Sequence, residues 1–318
     1  MSVSVIMAAF NAEDTIARAV LSALRQTQSV AEVIVVDDVS TDNTRAIVHE
    51  LAQTDKRVKL IASAVNRGPS GSRNAAITAA TSAWVAVLDA DDAWAPDRIE
   101  RMMAAASDDA VDVIADNQLL YDAAADQVTR AAFPVERGSR RIRPIDVFQQ
   151  EIKLGAEFSY GILKPVIRKA FLDEHRISYV ETARYGEDML LLAELLLAGA
   201  RALLIPDPLY IYTTRVGDLS GTVSPHSKST PRFDLFADGV AALGSRRADA
   251  VSPEVARAMA RIARRFRLEH QLNLARDRRR NRGLLAYGCY VAIRPRIAVH
   301  TLWSRRRVWR SLFRTASS

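Results

Sequence analysis

Residues Val85 to Ile99 read "VAVLDADDAWAPDRI". A run of apolar, strand-forming residues ends in three carboxylates, Asp89, Asp91 and Asp92. Charges this close repel one another, so something must compensate them. Their position matters as much as their number. If the run is a strand of a parallel sheet, the cluster lies beyond its carboxyl end, where such sheets bind ligands.

The preceding residues support a parallel sheet. Ser2–Ala8 is a near-continuous apolar run of strand length, and Ala12–Arg25 has apolar residues at helical spacing. "EVIVVDD" is again a strand, and "STDNTRAIVHELA" opens with capping residues and continues as an amphipathic helix. "RVKLIAS" is a third strand, and "PSGSRNAAITAA" is a third helix with Pro at its start. "AWVAVLDADD" is the fourth strand. Strands rich in Val, Ile and Leu that alternate with helices imply an α/β fold, Rossmann-like, with a mainly parallel sheet covered on both faces. Phe10 and Asn11, then Asp37 and Asp38, then Asn66, Arg67 and Gly68, then the aspartate cluster follow successive strands. All belong on one edge of the sheet.

Beyond Val111–Asn117, a further strand, the pattern is less regular. "DQVTRAAFPVERGSRRIRP" reads as a loop or hairpin and "SYGILKPVIRKAFLDEH" as a strand followed by a helix. "RYGEDMLLLAELLLAGA" is a polar turn and a strongly apolar helix, and "RALLIPDPLYIYTTR" gives two short strands around a Pro turn. Val216–Pro231 lies in a long polar loop, expected to close over a bound diphosphate with Arg215 or His226 touching it. From about Phe233 the chain reads as helical.

The chain of 318 residues is long enough for one large core or a core with an appendage. Its single cysteine, Cys289, excludes an intramolecular disulfide framework and a multi-cysteine zinc site. The N-terminus lacks a basic n-region, so no signal peptide is expected. The net charge of +7 conceals an asymmetry: from Arg261 onward, 16 arginines face only Glu269 and Asp277, and the rest of the chain is acidic. Arginines interleaved with apolar residues and with Trp303 and Trp309 suit an anionic membrane surface. A helical subdomain with a solvated basic face is the plainer alternative. No nucleic-acid partner is expected, because charge alone supports it.

Each polar motif has two readings. The aspartates suit a hard cation such as Mg²⁺ or Mn²⁺ bridging protein and diphosphate, or a solvated turn with Asp92 or Asp97 capping a helix. Asp38 suits a nucleobase or ribose, or only a turn. Arg67 and Arg73 suit a diphosphate, or are surface charges. Glu187 and Asp188 open a helix, where acids are favoured electrostatically and where a general base can also be presented.

Together, "SVIMAAFNAEDTI", "VIVVDDVSTDNT", "NRGPSGSRNAAI", "LDADDAWAPDRI" and "GEDMLLLAELLLAGAR" resemble family 2 glycosyltransferases of the GT-A fold, over residues 1 to about 225. The stretch from Ala183 to Ser229 looks most like enzymes that build succinoglycan-type exopolysaccharide. Two loops depart from the family's habit: Ala8–Ala9–Phe10–Asn11 where Pro and Tyr are common, and Val39 where Gly or Asn is commoner. The resemblance implies a glycosyltransferase domain over 1–230 and an arginine-rich, membrane-associating helical region over 231–318. It implies inverting transfer of a hexose, glucose first among them, from a UDP-sugar to a lipid-linked oligosaccharide at the cytoplasmic face of the inner membrane. Ala9, Asn11, Asp38, Arg67, Arg73, Asp89, Ala90 and Asp91 would bind the nucleotide sugar. Asp91 or Asp92 would hold the cation, Asp188 would be the base with Glu187 beside it, and Trp94 would face sugar or acceptor unless it is a core aromatic. A nucleotidyltransferase can share such a sheet, but its usual Gly- and Arg/Lys-rich first loop is missing from "MAAFNAEDTI". A non-catalytic nucleotide-sugar-binding protein would have little use for Asp188.

Overall fold

A computed structural model describes residues 1–107, 111–123, 125–134, 138–152, 159–183, 185–214 and 232–292. Its first half alternates as the sequence indicates. The strands are β1 (Val3–Ala9), β2 (Glu32–Asp37), β3 (Val58–Ala62) and β4 (Trp84–Val87), with helices α1 (Ile16–Leu24), α2 (Thr44–Thr54) and α3 (Gly68–Ala79) between them. The short strand β5 (Ala93–Trp94) and helix α4 (Arg98–Ala105) follow the aspartate cluster. Then come β6 (Val113–Asp122), β7 (Gln127–Ala131), β8 (Arg140–Ile142), α5 (Pro144–Ile152), β9 (Val166–Arg168) and α6 (Lys169–His175). The remaining elements are α7 (Glu187–Leu197), β10 (Ala202–Thr214), α8 (Phe233–Arg246) and α9 (Pro253–Ala292).

The main sheet runs β3-β2-β1-β4-β9-β6-β10-β5. The first four strands are parallel, as are β6 and β10, while β9 is antiparallel to both β4 and β6. From β1 the chain winds outward to β2 and β3 and then returns to the other side of β1 as β4. That reversal opens a crevice at the carboxyl ends of β1 and β4. Alternation along β2 explains the two-sided burial: Ile34 and Val36 join one core, while Val33 and Val35 join the other.

The sequence suggested two short strands around a Pro turn near Pro206. The structure instead has one strand of 13 residues, β10. Proline lacks an N–H for the ladder, and the strand absorbs it as an irregularity. The register against β6 shifts between Ile205 and Pro208 and again before Tyr210. The segment 127–131 is the second strand of a hairpin with β6.

The helices after residue 231 share the core of the preceding residues. Phe236 and Val240 of α8 and Ile262 and Phe266 of α9 are buried in the cluster that holds Met189 and Leu190 of α7. Tyr185, Phe233, Phe236 and Phe266 pack mostly edge to face, with centroids 4.7–5.9 Å apart. Among the described residues, no helix is long and apolar enough to cross a membrane.

Candidate active site at the carboxyl ends of the strands

Beyond β4 the chain turns tightly, the Asp92 N–H donating to the Asp89 carbonyl at 3.2 Å. The three carboxylates each offer an oxygen, and these oxygens all lie within 4.8 Å of one another. Their surroundings differ. Asp89 is clamped by two buried cations, Arg73 at 2.5 Å and Lys164 at 2.7 Å. Burial raises its pKa, but the Lys164 and Arg73 charges outweigh burial and hold the carboxyl well below its ordinary range. Asp92 is fully enclosed: it accepts from the Tyr210 hydroxyl at 2.7 Å and from the Thr213 N–H at 2.8 Å. Burial, then the charges of Asp91 and Asp89, push its pKa well above the usual value, which favours the neutral form. Asp91 is half-buried. Its backbone carbonyl is pinned by Arg18 at 2.6 Å and by the Thr213 hydroxyl at 2.6 Å. Protein groups therefore relieve much of the repulsion evident in the sequence.

The same two cations reach α7. Lys164 lies 2.5 Å from Asp188, and Arg73 lies 3.2 Å from Glu187 and 3.4 Å from Asp188. Arg73 also lies over the Tyr179 ring, 5.2 Å from its centroid. Glu187 has its pKa raised by burial, then by Asp188, against the opposing charge of Arg73. Gly186 makes this junction possible. Its φ of 72° is left-handed, and a Cβ there would meet the Phe236 ring at 2.5 Å. From Met189 to Leu197 every residue of α7 is buried, so the acidic pair sits on a helix fixed on all sides. Three carboxylates, Asp89, Glu187 and Asp188, thus share the two cations, and Asp91 and Asp92 stand beside them in the acidic turn, so carboxylates outnumber these two cations. The oxygen-only donor set and this excess fit a hard divalent cation.

The loops after β1, β2 and β3 are tied to one another. Asp38 is buried, and its two oxygens accept from the Arg67 and Gly68 N–H groups, both at 2.8 Å. It thereby fastens the β2 loop to the start of α3. Asn11, at φ 48°, accepts from the Thr41 N–H at 2.8 Å, and its own N–H donates to Ser40 at 3.0 Å. Ala9 and Ala90 are buried at the ends of their strand and turn. Arg67 is half-exposed and pairs with Glu181 at 3.2 Å, apart from the Arg73–Lys164 group. Trp94 is 3% exposed and belongs to the core, stacked on Arg98 at 4.6 Å. That is its core-aromatic role. Arg215, His226 and the loop that holds them lie outside the described residues.

Val39, singled out as a departure, stands at φ 66°. A β-branched side chain is strained there, whereas glycine is not. Val39→Gly should therefore stabilise the fold by about 1 kcal/mol. A denaturation midpoint unchanged or lowered in this variant would show the strain to be absent.

Sequence reasoning missed Lys164, Tyr179, Tyr210, Thr213 and Arg18. For Lys164 a signal existed: a lysine inside "GILKPVI" is unusual in an apolar run, since buried lysines are rare unless paired.

The profile described as Glycosyl transferase family 2 matches residues 4–172. The succinoglycan biosynthesis protein ExoU of Rhizobium meliloti is 36% identical over 280 residues, covering 86% of this chain and 78% of ExoU. ExoO of the same organism is 39% identical over 221 residues, 69% of this chain and 62% of ExoO. The match thus spans less than two thirds of ExoO. A shorter stretch of 98 residues is 42% identical to the Escherichia coli protein WfgD, named a UDP-Glc:alpha-D-GlcNAc-diphosphoundecaprenol beta-1,3-glucosyltransferase; it covers 31% of this chain and 38% of WfgD. Among solved structures, S. aureus TarS 1-349 in complex with UDP-GlcNAc superposes with a TM-score of 0.63 at 23% identity, over 88% of this chain and 74% of TarS 1-349. The shared architecture is the GT-A fold, with a helical C-terminal region in this chain.

Proposed function

The chain belongs to glycosyl transferase family 2, and we propose that it moves a hexose from a UDP-sugar to a lipid-linked oligosaccharide, with inversion, during bacterial exopolysaccharide assembly. One observation carries this reading. Asp188, at the head of α7, shares Arg73 and Lys164 with Asp89 of the acidic turn. A candidate base and a candidate diphosphate site are thus held in one rigid unit. The names of ExoO and ExoU support the polymer class, and that of WfgD makes glucose the first donor to test.

In this reading the donor lies over the ends of β1, β2 and β4. Asn11, Arg67 and the Asp38-fastened loop receive the nucleoside, and Ala9 and Ala90 leave room for close approach. Asp91 would hold the Mg²⁺ or Mn²⁺, since it is half-buried at the crevice whereas Asp92 is enclosed. When bound, that cation stabilises charge on the leaving diphosphate. Asp188 accepts the proton of the acceptor hydroxyl as that oxygen attacks, on the face opposite the leaving group. Lys164 and Arg73 hold the carboxylate in place. A single displacement needs no second carboxylate as nucleophile, unlike retaining glycosidases. The residues up to 230 form the catalytic part, and the arginine-rich residues from 231 onward keep it peripheral at the cytoplasmic face of the inner membrane.

The test is UDP release and product formation with UDP-glucose, a panel of other UDP-hexoses and lipid-linked acceptor. Turnover should require Mg²⁺ or Mn²⁺, stop in excess chelator and be lost in Asp91→Ala. Asp92→Ala should also lose turnover, but with a fall in stability that Asp91→Ala lacks, because Asp92 anchors Tyr210 and Thr213. Full activity in chelator would overturn the cation's role. Release of pyrophosphate would point to a nucleotidyltransferase, and binding without turnover to a non-catalytic protein.

A further inference from the structure

Helix α9 is not a single rod. At Gly283 the backbone leaves helical geometry, with φ 84° and ψ 179°. In a straight helix Tyr290 would lie about 22 Å beyond Ala275, at 1.5 Å per residue. Yet Tyr290 is buried in one cluster with Leu272 and Ala275. The Arg278 guanidinium lies 4.0 Å from the Tyr290 ring centre, and that of Arg279 lies 5.9 Å from Tyr287. The chain therefore doubles back at Gly283 as a helical hairpin with its own small core.

The hairpin tip has an unusual surface. Leu284 is 69% exposed and Leu285 is 87% exposed, the two most exposed large apolar side chains among the described residues. Just before them stand Arg276, Arg278, Arg279, Arg280 and Arg282, with Asp277 as the sole acid of that stretch. Leucines held in water beside clustered arginines suit a surface that offers phosphates above and hydrocarbon below. The geometry points to this tip as a wedge that enters an anionic bilayer, Leu284 and Leu285 passing the headgroups while the exposed Arg276, Arg279, Arg280 and Arg282 pair with lipid phosphates. A soluble polyanion such as nucleic acid would satisfy the arginines but leave both leucines in water. The inference rests on the proposed use of a lipid-linked acceptor, and adds the element that makes the contact.

The experiment uses the full chain and vesicles of phosphatidylglycerol and phosphatidylcholine, with pure phosphatidylcholine as control, at low salt. Leu284→Ser/Leu285→Ser should lower affinity for the anionic vesicles at least about tenfold. Its melting temperature should match the parent, since both side chains are exposed. In a second variant, Leu285→Cys with Cys289→Ser, an environment-sensitive dye on residue 285 should shift to the blue on adding anionic vesicles. Transfer to acceptor dispersed in detergent should be unchanged in Leu284→Ser/Leu285→Ser, and this arm reports on the proposed reaction by itself. If the parent binds the vesicles and the double serine variant binds equally well, with the dye still in water, the wedge is overturned and charge alone explains docking. If the parent ignores anionic vesicles, the wedge falls and the detergent assay alone judges the transferase. Equal binding of parent and double serine variant to duplex DNA, with no vesicle binding by either, would also overturn it.

Discussion

Asp188→Asn should slow sugar transfer at least about 10²-fold, within the range that general bases contribute, while donor affinity stays near that of the parent. A sugar hydroxyl is a weak nucleophile at neutral pH, and losing its proton as the bond forms lowers the barrier. Asparagine keeps the size of the side chain and the start of α7 but cannot take the proton. It still offers an oxygen to Lys164, so the ion-paired group with Asp89 is disturbed less than by alanine. The structural alternative makes Asp188 only a first-turn acid that favours the helix. Asparagine is well tolerated at helix starts, so on that view the variant is nearly silent. Glu187→Gln should be milder, because among the described residues the ion pair of Glu187 in this group is with Arg73, at 3.2 Å, and not with Lys164. Turnover and donor affinity, measured together for Asp188→Asn, separate the views. Near-parental turnover removes Asp188 from the mechanism.

The alternation of strands and helices was legible because strands buried on both faces read as continuous apolar runs; all six residues of β2 are buried. The aspartate turn was legible for another reason: its members are neighbours in sequence. What compensates them was not. The sequence pointed to a bound cation, whereas the structure adds Lys164 and Arg73, which reach the cluster from β9's approach and from α3. Lys164 meets Asp188 across 24 residues, a pairing that no local pattern encodes. Asp38 shows the opposite limit. Its place at a strand end was evident, but its two bonds to the Arg67 and Gly68 N–H groups arise only when loops of β2 and β3 meet. The prolines of β10 misled because proline is a turn signal locally. Here the neighbouring strands β8 and β5 pair on either side of Pro206 and Pro208 and leave those positions clear.

Removing Arg98 should be the most damaging change to the fold outside the site. Arg98 is fully buried, pairs bidentately with Asp116 at 2.9 and 2.8 Å, and donates to the Lys164 carbonyl at 2.7 Å. Its guanidinium also stacks between Trp94 and Tyr210, at 4.6 and 5.2 Å. It thus ties α4 to β6 and steadies Lys164 and Tyr210, whose side chains hold Asp89 and Asp92. Arg98→Met keeps much of the apolar contact but leaves Asp116 buried without its cation. Breaking a buried pair in this way costs about 3–5 kcal/mol. Burial already raises the Asp116 pKa against the opposing Arg98 charge, so without Arg98 the folded value rises further. A carboxyl whose folded pKa lies above its unfolded value loses stability as pH rises, so the defect should be large at neutral pH and shrink as pH falls toward 4, roughly the unfolded value. Arg98→Met/Asp116→Leu removes both charges and should recover much of the loss. Denaturant midpoints of the parent and both variants, at neutral and acidic pH, give the answer. A loss under about 1 kcal/mol for Arg98→Met, the size of a surface pair, or one that grows on acidification, would show that Arg98 does not hold the fold through Asp116.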